Sequence, residues 1–299
     1  MQNYEINVIF SCGVGAFLPA VDVWLVVDVL RATTVITRWF ELNGKNLFPV
    51  KNTDEAKNLT QIFKESDLTP LLMGEVNGIP PEGFELGNSP LDLNSENVKL
   101  HSCAVMSTTN GTVALNEAAS TGSPVLAVSF RNSSAVLDYA LTFGKKIGIL
   151  CSGRRKNPSW DDTFCAGAII KRLRTLTNEK ILMSDSAKIS LLIWETGQHD
   201  IKTCIRRSEH AEYLEKIGYG NDIDFACQYD VSTVVPMLFN DENGRCFLKS
   251  VSGSSAPYKK IQIEDKNSNL KFEELLHYTK NNNTKIENYF FINKNKKGS

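Results

Sequence analysis

The sequence contains no long hydrophobic run, although 42% of its 299 residues are hydrophobic. A membrane-spanning helix needs about 20 consecutive apolar residues, and no segment approaches that length. The first residues also lack the basic start and extended apolar stretch of a secretory signal peptide. We therefore expect a cytoplasmic protein that has no membrane partner.

Neither sign of charge dominates the chain, because 33 lysines and arginines nearly balance 34 aspartates and glutamates. The net charge of −1 gives no general attraction for nucleic acid, and we expect none as a partner. The seven cysteines are dispersed and form no C-x-x-C pair. Their spacing argues against a disulfide framework and against a structural zinc site.

Several familiar functional motifs are also missing. Gly13-Val14-Gly15 lacks the third glycine of a dinucleotide fingerprint, and neither a Walker A sequence nor a nucleophile elbow occurs. These absences make a nucleotide-using α/β enzyme a remote alternative. The four histidines lie outside the polar loops considered below, so we expect no phosphoryl chemistry based on histidine.

Short apolar runs alternate with helical patterns along most of the chain. The predicted strands are 7–10, 23–29, 47–50, 70–73, 103–107, 125–128, 146–151, 233–236 and 246–250. The predicted helices are 34–42, 53–65, 111–120, 133–143, 161–176, 184–195 and 208–217. This alternation predicts an α/β fold with three layers, α/β/α, around a mostly parallel or mixed sheet.

The composition changes near the C-terminus. We assign residues 1–250 to an α/β domain and residues 251–299 to an appendage rich in lysine and asparagine, with a short helix at 270–278. A predicted strand leads into two threonines at 33–34 and again at 108–109, which suits two similar sub-units but is too short to establish a repeat. For the oligomeric state we expect a homodimer, although no sequence feature fixes an interface.

Polar residues that follow the predicted strands are the candidate site residues, because ligands bind beyond the carboxyl ends of strands in open α/β sheets. The run 23–29 carries Asp28 and is followed by Arg31, Thr33 and Thr34. A buried, unpaired carboxylate costs roughly several kcal/mol. Asp28 therefore needs a partner, which is either Arg31 or a divalent cation, and a phosphate held by Arg31 and the threonines would complete the site.

Later loops offer further anion-binding groups. Thr108, Thr109, Asn110 and Gly111 stand at a predicted helix start, where backbone N–H groups bind phosphate, although simple N-capping is the alternative. Arg154 is either a second anion-binding group or a solvated loop charge. Ser129 and Asn132, which follow another predicted strand, complete this set of candidate substrate ligands.

Carboxylates form the second group of candidates. Mg²⁺ takes a few carboxylates together with water and phosphate oxygens. The candidates are Asp28 and Glu75 at strand ends, Asp161, Asp162 and Asp185 at helix starts, and Asp222, Asp224 and Asp230 in a loop that enters a short element. For Asp161 and Asp162, favourable interaction with a helix N-terminus is the competing interpretation.

With these residues assembled, the chain resembles the 2-phosphosulfolactate phosphatase family over about residues 5–240. The order and spacing of the matching words make the resemblance specific, although each word is short. The words are Val27-Asp28-Val29-Leu30-Arg31-Ala32-Thr33-Thr34, Gly74-Glu75, Gly83-Phe84-Glu85-Leu86-Gly87-Asn88-Ser89-Pro90, Thr108-Thr109-Asn110-Gly111-Thr112, Ser129-Phe130-Arg131-Asn132, residues 162–167, Asp185-Ser186-Ala187, Gly218-Tyr219 with Asp222, and Cys227 with Asp230.

The resemblance implies a Mg²⁺-dependent phosphatase that converts 2-phospho-3-sulfolactate to sulfolactate, a step toward coenzyme M in methanogens. It implies a small anionic phosphorylated substrate, and it adds Asn88 and Ser89 to the substrate-binding candidates. On this hypothesis, the nucleophile is either water or an aspartate such as Asp28. The expected catalytic residues are Asp28, Arg31 and Asp162, and the expected metal ligands are drawn from Asp28, Glu75, Asp161, Asp162 and Asp222.

Two positions depart from the family pattern. Val76 and Val113 stand where members of the family often carry arginine. This departure leaves the exact substrate open. It also motivates an alternative hypothesis, a catalytically inactive anion-binding relative with the same fold.

Overall fold

The computed structural model describes residues 3–13, 15, 18–251, 259–261 and 289–291. The chain divides into two compact units, Met1–Ser252 and Gly253–Ser299. The helix predicted at 270–278 lies outside the described residues.

The first unit is built on one mixed sheet. Its strands are β1 (Tyr4–Ile9), β2 (Val23–Val27), β3 (Leu47–Val50), β4 (Pro70–Gly74), β5 (Cys103–Ser107), β6 (Val125–Val128), β7 (Lys146–Cys151), β8 (Ile181–Met183), β9 (Pro236–Asn240) and β10 (Cys246–Ser250). Their order across the sheet is β4-β5-β3-β10-β9-β6-β2-β7-β1-β8.

Helices cover both faces of the sheet. They are α1 (Ala32–Glu41), α2 (Thr53–Glu65), α3 (Ser95–Leu100), α4 (Gly111–Ala119), α5 (Ser133–Ala140), α6 (Trp160–Leu176), α7 (Asp185–Gly197), α8 (Ile201–Ile205), α9 (Glu209–Lys216) and α10 (Gly220–Ala226), with a short 3₁₀ turn at Phe130–Asn132. The predicted three-layer α/β/α fold is confirmed. Within the described residues, no helix combines the length and hydropathy that a bilayer span requires.

Two sets of parallel strands flank a central antiparallel hairpin. The first set is β4, β5 and β3, and the second is β6, β2, β7, β1 and β8. The hairpin β9–β10 pairs antiparallel with β6 on one side and with β3 on the other. Twist accumulates across such a sheet, because neighbouring strands are rotated by roughly 20–25°. Residues that follow β2, β4, β5 and β7 line one cleft.

The pleat of the strands divides the core between the two faces. In β5, Ala104 and Met106 pack with α1 and α4, whereas Cys103 and Val105 pack with α2 on the other face. All five residues of β2 are fully buried. A strand that is covered on both faces reads as a continuous apolar run, which is why β2 stood out in the sequence.

Most strand predictions agree with the structure, and one is wrong. The strand predicted at 233–236 begins only at Pro236 and continues to Asn240. The backbone before it bonds to the 3₁₀ turn instead, because the Ser232 N–H donates to the Arg131 carbonyl and Asn132 donates to the Val234 carbonyl. The sequence analysis did not identify the short elements α3, β8, α8 and α10.

The second unit contributes two described strands. These are β11 (Lys259–Ile261) and β12 (Tyr289–Phe291), which pair in parallel.

Candidate active site

An open cleft lies at the carboxyl ends of β2, β4, β5 and β7. It contains about 520 Å³ of space that is not occupied by atoms, a volume that includes open solvent. Its walls combine carboxylates, guanidinium groups, amides and an imidazole. The lining residues are Asp28, Leu30, Arg31, Glu75, Asn77, Gly78, Asn88, Thr109, Asn110, Arg154, Arg155, His210 and Tyr213.

Asp28 stands directly after β2 and is held by the start of α1. Its Oδ1 accepts a hydrogen bond from the Ala32 N–H at 3.2 Å. The Thr33 hydroxyl donates to the Asp28 carbonyl at 2.7 Å and accepts from the Asp28 N–H at 3.1 Å. Thr33 therefore fixes the backbone of the loop, and the carboxylate is left at the cleft wall with 6% of the residue exposed.

Gly111 allows α4 to approach this carboxylate closely. A Cβ atom at position 111 would lie 2.5 Å from Asp28 Oδ2 and 2.4 Å from the Ala32 Cβ. The Asn110 side chain makes no capping hydrogen bond, but the Thr108 hydroxyl accepts the Thr112 N–H at 3.0 Å, so a side chain does cap the first turn of α4. Backbone N–H groups at a helix N-terminus favour anions.

Three buried carboxylates lie close to one another near the cleft. Burial and the charges of Asp161 and Glu75 raise the pKa of Asp28 from 3.8 to about 7, although hydrogen bonds from Ala32 and Ser152 oppose the rise. Burial also raises the pKa of Asp161. Burial, together with Asp161 and Asp28, raises the pKa of Asp162 well above its ordinary range. Like charges in a desolvated region are disfavoured, so a cation brought here would be stabilised.

Asp162 joins two of the loops from behind the cleft wall. Its Oδ1 accepts the Val29 N–H at 2.9 Å, and its Oδ2 accepts both the Gly153 N–H and the Ser152 hydroxyl at 3.0 Å. Asp161, its neighbour in the first turn of α6, accepts a hydrogen bond from Ser159. Neither carboxylate lines the cleft, so the structure places both in supporting positions.

Arg31 is positioned by Asp222 and not by Asp28. Its Nη1 donates to Asp222 Oδ2 at 2.7 Å, its Nη2 donates to the Gly78 carbonyl at 2.8 Å, and its guanidinium lies 4.3 Å from the centre of the Tyr219 ring. Asp222 Oδ1 in turn accepts the Ser89 hydroxyl at 2.7 Å. Both ion-pair side chains are only 2% exposed. Asp222, which was predicted as a metal ligand, has its two oxygens committed to Arg31 and Ser89.

Glu75 occupies part of the predicted phosphate cradle. Its Oε1 accepts the Thr109 N–H at 2.7 Å, and its Oε2 accepts the Gly78 N–H at 2.6 Å and the Thr109 hydroxyl at 3.2 Å. The close approach of β4 to β5 depends on Gly74. Its φ is +148°, and a Cβ atom at this position would lie 1.9 Å from the Ser107 carbonyl oxygen. Glycine therefore brings β4 against β5 and places Glu75 beside Thr109.

The cleft lining also carries positive charge. Arg154 lies 3.8 Å from Glu209 and 5.1 Å from the centre of the Tyr213 ring. Arg155 follows it in a tight turn that is closed by two hydrogen bonds between Arg154 and Asn157. The prediction that Arg154 contributes to an anion-binding loop agrees with its place in the cleft wall.

Helix α9 supplies residues that the sequence analysis missed. Tyr213 donates its hydroxyl hydrogen to the Asn77 carbonyl at 2.8 Å, and His210 lines the same cleft. His210 lies outside the strand-end loops of the sequence, but the fold brings it to the same cleft. The helix itself was predicted at 208–217, but no local signal places it at the cleft, because that position depends on tertiary contacts with residues more than 130 positions away.

Seven of the predicted site residues line the cleft: Asp28, Arg31, Glu75, Asn88, Thr109, Asn110 and Arg154. Among them, Asn88 is only 3% exposed, and its Oδ1 has no hydrogen-bond partner in the part of the chain that the structure describes. A buried acceptor or donor without a partner is costly. The Asn88 side chain is thus a candidate ligand contact.

The remaining candidates serve structural roles away from the cleft surface. Ser129 and Asn132 form a reciprocal cap on the 3₁₀ turn and are fully buried. The Thr34 hydroxyl donates to the Val29 carbonyl, and Thr108 exchanges hydrogen bonds with Thr112. The candidates that do not line the cleft are Thr33, Thr34, Ser89, Thr108, Gly111, Ser129, Asn132, Asp161, Asp162 and Asp222.

Donors for a metal ion are sparse on the cleft wall. Over the described ranges, no group of three or more His, Cys, Asp or Glu side chains is arranged to hold a metal ion. Of the five predicted ligands, only Asp28 and Glu75 line the cleft. Mg²⁺ is usually bound by one or two carboxylates, with water and substrate phosphate completing its shell. The two cleft carboxylates fit that mode of binding and do not fit an all-protein site.

The two valines that replace expected arginines lie outside the cleft lining. Val76 is 48% exposed, and Val113 packs against the hydrophobic core through α4. The guanidinium groups of the cleft come instead from Arg31, Arg154 and Arg155.

Comparison with known proteins connects this site to a family. A family model described as 2-phosphosulpholactate phosphatase matches residues 17–241. A probable 2-phosphosulfolactate phosphatase from Caldanaerobacter subterraneus is 36% identical over 72% of this chain and 87% of its own length. Proteins given the same name from Pseudothermotoga lettingae and Thermus thermophilus are 34% and 33% identical, over 73% and 75% of this chain and 90% and 91% of their own lengths. The resemblance found in the sequence is confirmed.

Proposed function

Because the chain belongs to the 2-phosphosulpholactate phosphatase family, we propose that it hydrolyses 2-phospho-3-sulfolactate, or a similar small phosphorylated hydroxy acid, with Mg²⁺ as cofactor. The observation that carries the proposal is the composition of one cleft. Two carboxylates, Asp28 and Glu75, share it with three guanidinium groups. A phosphate monoester that carries a second anionic group and binds a divalent cation is complementary to both the carboxylates and the guanidinium groups.

Asp28 and Glu75 are the residues that would hold the metal. They are the only two of the predicted ligands on the cleft wall, and the charge of Glu75 raises the pKa of Asp28. When bound, Mg²⁺ would neutralise phosphate charge and help to orient the reacting groups. The raised pKa of Asp28 supports this assignment, because a nearby cation favours the ionised carboxylate.

Arg31 would bind phosphoryl oxygens from a fixed position. The ion pair with Asp222, the bond to the Gly78 carbonyl and the Tyr219 ring hold its guanidinium in place. Preorganised donors aimed at developing charge lower the barrier to phosphoryl transfer. The start of α4 lies beside Asp28, and those of its backbone N–H groups that are not bonded to Thr108 would serve the same anion.

Asp28 would also take part in the attack on phosphorus. Its pKa is about 7 without metal, and a bound cation would favour the ionised carboxylate, the form that acts as a base or a nucleophile. Its carboxylate would either activate water or attack directly to give a phospho-aspartate. Acid quenching of a single turnover, followed by reduction with borohydride, distinguishes the two routes because only an acyl phosphate at Asp28 is converted to homoserine.

The proposal is tested by measuring phosphate release from 2-phospho-3-sulfolactate and from a panel of phosphorylated hydroxy acids, with and without Mg²⁺. We expect turnover that requires Mg²⁺ and that is lost in Asp28→Asn. Asp185→Asn, at an exposed position that does not line the cleft, is the matched control and should retain activity. Binding of these compounds without turnover would instead identify an inactive anion-binding relative.

A further inference from the structure

His210 is a cleft residue without an assigned role. It lies in the first turn of α9, and its ring forms part of the cleft wall. The helix is well fixed, because Ser208 caps it through a hydrogen bond from the Ala211 N–H at 3.0 Å. Tyr213, three residues further along the same helix face, is tied to the Asn77 carbonyl. His210 is thus held at the cleft by a rigid element.

The ring of His210 has no protein partner among the described residues, since no hydrogen bond or ion pair involves it there. His101 gives the contrast. Its Nδ1 lies 2.6 Å from the Asn97 carbonyl oxygen, and its Nε2 lies 3.4 Å from a Glu85 carboxylate oxygen. A half-buried imidazole without partners leaves both ring nitrogens available to a ligand.

The surroundings of His210 keep its ring neutral. Burial, and then the positive charges of Arg154 and Arg31, lower its pKa to about 3. A neutral imidazole has one N–H donor and one acceptor nitrogen. In the ligand-free cleft its protonated form is therefore disfavoured near neutral pH.

We propose that His210 contacts the substrate, donating the N–H of its neutral imidazole to an oxygen of a tetrahedral oxyanion bound between Arg154 and Arg31. This inference rests on the proposed function for the identity of the substrate. The two arginines attract an anion to the cleft, and the charged oxygens of an anion are hydrogen-bond acceptors. The N–H of the neutral imidazole can donate to one of them. The oxyanion is either the phosphate or the sulfonate of the ligand.

Steady-state kinetics of three variants tests the contact. His210→Phe removes the donor and keeps a ring, whereas His210→Gln restores an N–H donor of similar reach. Loss of a hydrogen bond to a charged ligand corresponds to about a 10- to 100-fold effect. We expect KM to rise by that factor in His210→Phe, with the pH profile of kcat unchanged. His210→Gln should recover most of the loss, and His199→Phe, at an exposed position, is the control.

The kinetic outcome separates binding from packing. If His210 only fills space, His210→Phe will behave like the wild-type protein and His210→Gln will be the more damaged variant. That result would overturn the proposal. A change in the pH profile of kcat in His210→Phe would also overturn it, because it would assign a proton-transfer role to the imidazole.

A second measurement does not depend on turnover. Histidine ring nitrogens of the full chain are observed by NMR after ¹⁵N labelling, and the His210 signals are assigned by their absence from His210→Gln. We expect one protonated and one unprotonated ring nitrogen. Addition of inorganic phosphate or of sulfolactate, in separate titrations, should shift the signals, and the ligand that does so identifies the oxyanion. No shift with either ligand would refute the contact.

The two tests keep the inference distinct from the proposed function. If phosphosulfolactate is not hydrolysed but an oxyanion shifts the His210 signals, the proposed function fails and the contact stands. If the substrate is hydrolysed and neither oxyanion affects His210, the proposed function stands and the contact is wrong.

Discussion

Replacing Asp28 with asparagine should make the protein more stable in alkaline buffer while removing its activity. Asp28 is buried beside Asp161 and Glu75, and its pKa rises from an ordinary 3.8 to about 7. Asparagine has the same shape, keeps an oxygen for the Ala32 N–H, and carries no charge. The substitution therefore removes the cost of ionising a buried carboxylate and leaves the packing unchanged.

The sign and size of the effect follow from proton linkage. Between pH 3.8 and about 7 the folded protein holds a proton on Asp28 that the unfolded chain has released, so the free energy of unfolding falls as the pH rises through this interval. The raised pKa of Asp28 lowers the free energy of unfolding by about 4 kcal/mol at pH 9, but by only about 2 kcal/mol at pH 5. The stabilisation from Asp28→Asn should thus grow by about 2–3 kcal/mol between these pH values.

Thermal unfolding of the metal-free protein measures this difference. For a domain of this size, each kcal/mol corresponds to about 2–4 °C in Tm, so the advantage of Asp28→Asn should widen by about 5–10 °C from pH 5 to pH 9. The exposed control Asp185→Asn should show no such widening. A constant advantage across this range, or a loss of stability at pH 9, would show that Asp28 does not ionise with an elevated pKa in the folded state.

Three further predictions follow from the contacts in the cleft. Asp222→Asn weakens the ion pair that positions Arg31, and we expect kcat/KM to fall by about 10- to 100-fold. Ser89→Ala leaves that ion pair in place, so its effect should be smaller. Equal effects of the two substitutions would argue against positioning of Arg31 by Asp222. Chelation with EDTA should abolish phosphate release and added Mg²⁺ should restore it, whereas activity in EDTA would contradict a metal role for Asp28 and Glu75. Lys156 has a φ of +63° in the Arg154–Asn157 turn, so Lys156→Gly should raise the free energy of unfolding by about 1 kcal/mol in denaturant titrations and leave KM unchanged, unless Lys156 itself contacts the substrate.

The sequence was most informative about the polar residues that follow the strands. The run at β2 is apolar because both faces of the strand are covered, and the residues after it, Asp28 and Arg31, line the cleft as the strand-end rule requires. The same rule correctly selected Glu75, Thr109 and Arg154.

The same rule failed where a polar residue after a strand serves the backbone. Ser129 and Asn132 follow β6 in the same manner as Thr109 follows β5, but they cap a 3₁₀ turn and face the interior. Hydroxyl and amide side chains suit both capping and ligand binding. Only the surrounding packing decides between these roles, and the sequence does not show that packing. His210 was missed for the related reason that α9 reaches the cleft through contacts distant in the chain.

The cleft contains two groups of charged residues, the carboxylates near β2 and the arginines, and each group favours a different part of the proposed ligand. Burial and their mutual repulsion raise the pKa values of the carboxylates near β2, so a bound cation would stabilise their ionised forms. Burial, and then the charges of Arg154 and Arg31, lower the pKa of His210, and the same two charges favour binding of an anion. A bare metal ion or a bare phosphate satisfies one group only. A phosphate monoester accompanied by a divalent cation satisfies both, and each component reduces the electrostatic cost of binding the other. On this argument the affinities for metal and phosphorylated ligand are positively coupled, as the proposed metal-dependent phosphatase requires.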